Sequence, residues 1–178
     1  VHVLQAEQAS ALGKALEKTS PYTVQKLDTK PYTRRPAAPF TTSTLQQEAS
    51  RKLRMSSRQT MRVAQTLYEN GFITYMRTDS TALSSQAIAA ARKQASELYG
   101  ATSIPAKPRF YATKSKGAQE AHEAIRPAGA HFRSPDQVAG QISGAELRLY
   151  DLIWKRTVAS QMNDARGQTA TVRIQADS

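Results

Sequence analysis

The chain has 178 residues, and 25 Lys or Arg against 14 Asp or Glu give it a formal net charge of +11. It contains no cysteine, which excludes disulfides, Cys-ligated zinc, iron–sulfur clusters and thiol catalysis. With 39% hydrophobic residues it can form one core, but it has no run of about 18 apolar residues, so we expect no transmembrane helix.

The first strand and the last strand are predicted at opposite ends of the chain. An Ala-rich stretch over residues 5–18 predicts a short helix, and residues 22–29 alternate in the way of a strand. Three prolines between residues 31 and 39 predict a stiff extended connector. Residues 169–175 alternate like the first strand, and we expect the two segments to be neighbouring strands.

Helix caps divide the middle of the chain. Ser-x-x-Gln patterns at Ser43 and Ser56 predict helices over about 42–54 and 56–70, joined by a tight turn. Because both helices are basic, they favour a helix-turn-helix arrangement, with an ordinary pair of packed helices as the alternative. A short β-type run is predicted over 72–76, and Ser84 is predicted to cap a helix over 85–99.

The last third of the chain alternates loops with short helices. Residues 101–119 predict a loop with a short strand at 109–112, and residues 120–126 one or two helical turns. Ser134 caps a short helix to about residue 139, and Ser143-x-x-Glu146 predicts a capping box that opens a helix over 145–162. Trp154 on that helix is predicted to lie in the core.

Positive charge is concentrated near the predicted helix pair. From Lys30 to Arg62 there are eight basic residues and one acid, Glu48. A nucleic-acid surface explains this best, since Lys and Arg neutralise phosphates. A solvated basic face and a membrane surface are the alternatives.

One segment carries residues suited to phosphodiester chemistry. On an extended segment Tyr75, Arg77 and Asp79 point the same way. A phenol can attack phosphorus, and a neighbouring guanidinium can stabilise the charge that develops. The alternative is a half-buried tyrosine beside a surface pair of Arg77 and Asp79.

A second candidate lies at His122 and Arg126, which share a helix face if the segment is helical. Together they could hold a phosphate. The alternative is a surface histidine with an ion pair between Glu123 and Arg126. The chain has no Gly-rich phosphate loop and no acidic cluster with metal-ligand spacing, so the residues alone fit a binding module as well as an enzyme.

The motifs themselves are recognisable. Residues 73–80, Ile-Thr-Tyr-Met-Arg-Thr-Asp-Ser, resemble the active-site tyrosine motif of type IA DNA topoisomerases. Residues 40–49, 121–127 and 149–156 resemble three further segments of that family, in the same order. Met76 stands where topoisomerase III relatives usually have proline, and in this respect the motif resembles the bacterial topoisomerase I branch.

The resemblance implies an activity and a set of roles. A tyrosine attacks a single DNA strand, forms a 5′-phosphotyrosyl bond, lets the other strand pass and reseals the break, so negative supercoils relax without ATP. Tyr75 would be the nucleophile, Arg77 its phosphate partner, and His122 a residue that positions phosphate and DNA. Further DNA contacts are expected from Arg51, Arg54, Arg58, Asp79 and Arg126.

The resemblance also implies what the chain lacks. The family binds Mg²⁺ in a separate Toprim domain, which also holds its acid–base residues, and nothing here matches that domain. We therefore expect no metal site in this chain, and DNA binding without cleavage by the fragment alone. The expected partners are single-stranded and negatively supercoiled DNA and the Toprim domain of the same parent, in the bacterial cytoplasm at the nucleoid, with no membrane.

The expected fold is α+β and mostly helical. Residues 40–164 would form a helical domain similar to the catabolite-activator helix-turn-helix fold. Residues 1–39 and 165–178 would supply a short helix and the strands of an incomplete β arch. Because the chain starts at Val1 and ends on an unpaired strand, we expect a piece of a longer protein. The competing hypotheses are a stand-alone helix-turn-helix DNA-binding protein and a basic domain associated with RNA or a membrane surface.

Overall fold

The computed structural model describes residues 3–18, 21–111 and 123–176. The elements are α1 (Ala6–Glu17), β1 (Tyr22–Arg34), α2 (Thr42–Leu53), α3 (Ser57–Glu69), α4 (Ser85–Tyr99), a 3₁₀ turn (Ala101–Ser103), α5 (Pro135–Val138), α6 (Gly144–Ala159) and β2 (Ala165–Ala176). The chain divides into a strand unit, Val1–Arg34 with Ala165–Ser178, and a helical unit, Arg35–Asp164. The mixed helix and strand content agrees with the predicted α+β class.

The strand unit contains a two-stranded antiparallel sheet. Tyr22 pairs with Ala176 at one end and Arg34 pairs with Ala165 at the other. The prediction that the two alternating segments are neighbouring strands is confirmed. β1 extends past the predicted residues 22–29 and runs through Pro31, which is tolerated because this strand forms a sheet edge.

A β-bulge keeps the apolar side chains of this sheet on one face. The register shifts between Val24 and Lys26, so that Val24 pairs with Ile174 and Leu27 pairs with Val172. Val172 and Ile174 are two residues apart on β2 and share a face, and the bulge therefore brings Val24 and Leu27 to that same face. These four side chains are between 49% and 64% exposed.

Tyr32 and Gly167 pair on the opposite face of the sheet. A Cβ atom at Gly167 would lie 2.6 Å from Cζ of the Tyr32 ring, closer than real Cβ contacts come. The position therefore requires glycine as long as the ring stays in place. α1, also in the strand unit, forms close to its predicted bounds and has no buried residue.

The helical unit begins with the predicted pair of helices. The N-cap of α2 is Thr41, whose Oγ1 accepts a hydrogen bond from the backbone N–H of Thr44 at 3.3 Å, so the predicted cap at Ser43 is wrong. Ser56 caps α3 as predicted, accepting from the N–H of Gln59 at 3.2 Å. Arg54 ends α2 in the left-handed region, with φ of 58°. The helix-turn-helix character of this pair stays a prediction.

The remaining helices follow their predicted caps with one exception. The Oγ atoms of Ser84 and Ser134 each accept a hydrogen bond from the N–H three residues later, and α4 and α5 begin there as predicted. The predicted capping box at Ser143 is wrong, because its side chain makes no cap hydrogen bond. α6 ends at Ala159, earlier than the predicted residue 162.

The core of the helical unit lies between α2, α3, α4 and α6. Its largest wholly buried side chains include Phe40, Leu45, Leu67, Ile73, Met76, Ile125, Leu149, Tyr150 and Ile153. Trp154 belongs to the core as predicted, with 4% exposure, and its Nε1 donates to Oε1 of Gln94 at 3.0 Å. Each large apolar side chain buried here contributes about 1.5–3 kcal/mol to folding.

Two segments that were predicted as regular elements form neither a strand nor a helix. Residues 72–76 form one isolated bridge, between Ile73 and Pro127, and residues 123–127 are extended rather than helical, with Ile125 bridged to Phe40. The predicted strand at 109–112 is absent from the described residues 109–111. The backbone partners of the two bridged segments come from distant parts of the chain, so their local patterns could not indicate them.

Candidate active site

Tyr75 lies on an irregular segment between α3 and α4, with bends at Phe72, Thr74 and Met76, and the start of α2 fixes one side of that segment. The backbone N–H of Thr42 donates to the carbonyl oxygen of Thr78 at 2.9 Å. The Thr42 hydroxyl donates to the carbonyl oxygen of Met76 at 2.8 Å and accepts from the N–H of Thr78 at 2.9 Å. One residue in the first turn of α2 therefore bonds to both sides of Arg77.

Residues 124–128 fix the other side of the segment. The N–H of Thr74 donates to the carbonyl oxygen of Arg126 at 2.9 Å. The Thr74 hydroxyl donates to the carbonyl oxygen of Ala124 at 2.8 Å and accepts from the N–H of Arg126 at 3.0 Å. Thr74 and Thr42 thus hold the backbone on either side of Tyr75, which fixes where its side chain starts.

Exposed and less exposed residues alternate over positions 75–80. Tyr75 is 46% exposed and Arg77 and Asp79 are exposed, whereas Met76 and Ser80 are 1% and 5% exposed. The buried side chains anchor the segment, and the three candidate residues face solvent. The structure therefore presents a phenol and a guanidinium two residues apart on one accessible edge.

A second tyrosine contacts the candidate nucleophile. Tyr68, on the last turn of α3, is 41% exposed, and its ring centroid lies 5.2 Å from that of Tyr75 with the planes at 66°. Such an edge-to-face pair is worth about 0.5–1.5 kcal/mol and limits rotation of both rings. No sequence spacing indicated Tyr68, because the contact depends on the chain reversal at Gly71, where φ is +72°.

Arg126 is buried, with 7% exposure. Its Nη2 and Nε donate to Oε2 of Glu123 at 2.5 and 3.1 Å. Its Nη1 donates to the carbonyl oxygens of Pro127 and Gly129 at 2.8 and 3.2 Å. This is the ion pair kept above as the alternative to a phosphate clamp. His122 lies outside the described residues, and DNA contact by either residue stays a prediction.

Glu123 links this buried pair to the next helix. Its Oε1 accepts a hydrogen bond from the N–H of Ser84, the N-cap of α4, at 2.7 Å. Burial raises the pKa of Glu123, but hydrogen bonds from Arg126 and Ser84 outweigh it, and the pKa lies below its usual range. The carboxylate is therefore charged in the folded chain at neutral pH.

Of the predicted DNA contacts on the helix pair, Arg51, Arg54 and Arg58 are all exposed. Arg51 pairs with Glu48 at 3.0 Å, and the same carboxylate accepts Lys52 at 3.3 Å and Arg156 of α6 at 3.5 Å. The Arg51 hydrogen bond lowers the pKa of Glu48 against the effect of burial. The run of basic residues over positions 30–62 did not indicate that Arg156 of α6 would also pair with Glu48.

Within residues 3–18, 21–111 and 123–176, no three His, Cys, Asp or Glu side chains form a group that could hold a metal ion. None of the described helices has the length and apolar character needed to cross a membrane.

Comparisons with known proteins agree with one another. A family model described as DNA topoisomerase matches residues 1–178. DNA topoisomerase 1 of Synechococcus elongatus is 58% identical over 177 residues, and that of Mycobacterium tuberculosis H37Rv is 59% identical over 177 residues. These alignments cover 99% and 98% of this chain but 20% and 19% of the relatives, so the chain spans about a fifth of their length.

A solved structure matches as well. Full-length topoisomerase I from Thermotoga maritima is similar with a TM-score of 0.71 and 34% sequence identity. The match covers 97% of this chain and 28% of that one.

Proposed function

The chain belongs to the DNA topoisomerase family, and we propose that it carries the nucleophile of a type IA enzyme, Tyr75. The observation that supports this most is the exposed pair of Tyr75 and Arg77 on a segment held by Thr42 and Thr74. Held in this way, a nucleophile loses little freedom when DNA binds, and that lowers the barrier to attack.

The proposed reaction is a reversible transfer of one phosphodiester bond. The phenol oxygen of Tyr75 attacks phosphorus in a single strand, a bond to the 5′ phosphate forms, and the 3′ oxygen leaves as a hydroxyl. The phenol proton passes to a base, and the leaving oxygen takes a proton from an acid. Because a phosphotyrosyl bond replaces the phosphodiester, resealing is the reverse step and needs no ATP. Passage of the other strand before resealing would relax negative supercoils.

The neighbouring residues have separate roles in this proposal. The guanidinium of Arg77 neutralises the scissile phosphate and stabilises the pentavalent transition state. His122 helps to position the phosphate and Asp79 contributes at the DNA surface, whereas the buried guanidinium of Arg126 holds Glu123 in place. The α2–α3 pair acts as a helix-turn-helix surface on which Arg51, Arg54 and Arg58 contact the backbone of single-stranded DNA.

We assign the general acid and the general base of the reaction to the rest of the parent protein. The described residues hold no group of metal ligands, and we assign Mg²⁺ to a Toprim domain of the same parent. The fragment alone would bind DNA and leave it uncut. Negatively supercoiled DNA in the bacterial cytoplasm, at the nucleoid, is the proposed substrate.

The test is covalent capture of DNA by the full-length parent protein. A single strand labelled at its 3′ end should become attached to the parent, and Tyr75→Phe should abolish attachment while binding stays nearly unchanged. Tyr99→Phe is the matched control, because Tyr99 is a tyrosine of similar exposure, 56%, at the end of α4. An adduct that persists in Tyr75→Phe would show that another residue is the nucleophile.

A DNA-binding module without chemistry is the second candidate, favoured by the exposed cations of α2 and α3. The same experiment separates the two functions. A parent protein that binds the labelled strand and never forms an adduct, even with Mg²⁺ present, would support the binding module.

A further inference from the structure

A groove lies between the last turns of α2 and the outer face of α6. It encloses about 630 Å³, and its floor is formed by Leu53, Leu152 and Ala159. The charged residues along its edges are Glu48, Arg51, Lys52, Arg148, Asp151, Lys155 and Arg156. The proposed cleavage reaction assigns no role to the α6 side of this groove.

The groove carries more cations than its own carboxylates can neutralise. Five cations face two carboxylates, which leaves an excess of three positive charges. Glu48 is shared among three of the cations, at 3.0 Å from Arg51, 3.3 Å from Lys52 and 3.5 Å from Arg156. A polyanion would find these charges already gathered and would relieve their mutual repulsion.

One of the cations is held in place before any ligand arrives. The side chain of Arg156 is 19% exposed, lies 4.3 Å from the Phe40 ring centroid and donates to the carbonyl oxygen of Ala38 at 3.3 Å. Burial lowers the pKa of Arg156, which means that its charge is partly stripped of water. A fixed, partly dehydrated guanidinium binds an anion with little loss of side-chain entropy.

The Lys52 end of the groove is too far from Tyr75 to contact the same phosphate. Thr42, in the first turn of α2, bonds to Met76 and Thr78, whereas Lys52 lies ten residues along the same helix. At 1.5 Å per residue this is about 15 Å along the helix axis. Nucleic acid bound at this end of the groove is therefore a second contact, separate from the reacting phosphate.

We propose that the groove between α2 and α6 binds the phosphate backbone of nucleic acid, away from the strand held at Tyr75. The choice of nucleic acid as the partner rests on the proposed function. In that function Arg54 and Arg58 contact DNA, and these two residues continue the row of cations at the end of α2. None of the described residues that line the groove is aromatic, so they provide no ring on which a base could stack, and binding depends on charge and not on sequence. An acidic protein segment is the competing occupant.

The experiment measures binding of single-stranded DNA by the full-length parent protein as a function of salt. The test variant is Arg148→Gln with Lys155→Gln. The control is Lys93→Gln with Lys107→Gln, because Lys93 has the same exposure as Lys155, 64% against 65%, and a similar carboxylate partner one turn away. Two lost phosphate contacts should flatten the plot of log affinity against log salt by about 1.4, while the control should leave it unchanged.

Three outcomes would overturn the proposal. The test variant and the control could give the same slope, or the slope could differ between oligo-dT and a mixed sequence. A polyglutamate peptide of equal charge could bind as tightly as DNA and lose as much affinity in the test variant, which would favour an acidic protein. Failure here is distinguishable from failure of the proposed function, because the adduct at Tyr75 on a short oligonucleotide does not depend on this groove.

Discussion

Replacing Arg126 by Met should destabilise the helical unit, because this guanidinium is part of its interior. Met fills most of the same volume but provides neither charge nor donors. The change removes the ion pair with Glu123 and the two hydrogen bonds to the carbonyl oxygens of Pro127 and Gly129. It also removes the cation from its position 5.9 Å from the Phe132 ring centroid.

The expected loss can be estimated from this geometry. Breaking a buried ion pair by removing one partner costs about 3–5 kcal/mol. Glu123 keeps the N–H of Ser84 and its side chain is 27% exposed, so the lower end, about 3 kcal/mol, applies. With an m value of about 1–3 kcal/mol/M in urea, the midpoint of unfolding should fall by about 1–3 M.

The assay is urea unfolding followed by the fluorescence of Trp154, the chain's one tryptophan, which is buried in the same core. Arg133→Met is the matched control. Arg133 also lies over an aromatic ring, 4.7 Å from the Phe72 centroid, but its hydrogen bond goes to the exposed Gln141, so it should cost less than about 1 kcal/mol. If Arg126→Met has the same urea midpoint as the unsubstituted chain but binds DNA more weakly, the guanidinium contacts DNA and does not stabilise the interior.

The same variant should change the acid dependence of stability. The folded pKa of Glu123 lies below its usual 4.5, so its contribution is present above that pH and is lost as the pH falls through the lowered value. The difference in free energy of unfolding between the unsubstituted chain and Arg126→Met should therefore decrease as the pH is lowered. A difference that is constant from neutral pH to pH 3 would contradict a charged pair.

Three further changes test other parts of the molecule. Arg77→Ala in the full-length parent should slow adduct formation about 10²–10³-fold in a single-turnover assay, because one donor at a developing charge is lost; an unchanged rate would remove Arg77 from the reaction. Gly167→Ala should displace the Tyr32 ring and speed amide hydrogen exchange in β1 and β2, and adding Tyr32→Ala should reverse this. Arg54→Gly should raise the free energy of unfolding by about 0.5–1 kcal/mol, since φ is 58° there, yet weaken DNA binding measured by fluorescence anisotropy; unchanged anisotropy would exclude Arg54 as a contact.

Local signals predicted the elements that depend on local bonds. Ser56 and Ser84 were correctly identified as caps because each closes a hydrogen bond within its own first turn. The cap of α2 was misplaced because two neighbouring hydroxyl residues, Thr41 and Ser43, both precede a helical pattern. The exposure of Tyr75 and Arg77 agrees with the predicted alternation of exposed and buried residues along this segment.

Features that depend on distant partners could not be predicted in this way. The i,i+4 spacing of His122 and Arg126 suggested a helix, but Thr74 and Phe40 take the backbone bonds of residues 124–126. The same bonds bring Arg126 into the interior. Glu48 gave no sign that it would hold a cation from α6, since 108 positions separate it from Arg156 and only folding brings them together.

The pairing of Arg34 with Ala165 means that the whole helical unit is an insertion in a β-hairpin. The chain leaves one strand and re-enters the opposite strand at directly facing residues, so folding of residues 35–164 can bring the strand ends together before the sheet forms. The entropic cost of closing so long a loop is then offset by folding of the helical unit and not by pairing of the two strands. It also follows that residues 35–164 could be replaced by a two-residue Asn-Gly turn, which would leave a minimal hairpin. The ends of the excised helical unit could in turn be joined by a short linker, and the unit could then be circularly permuted.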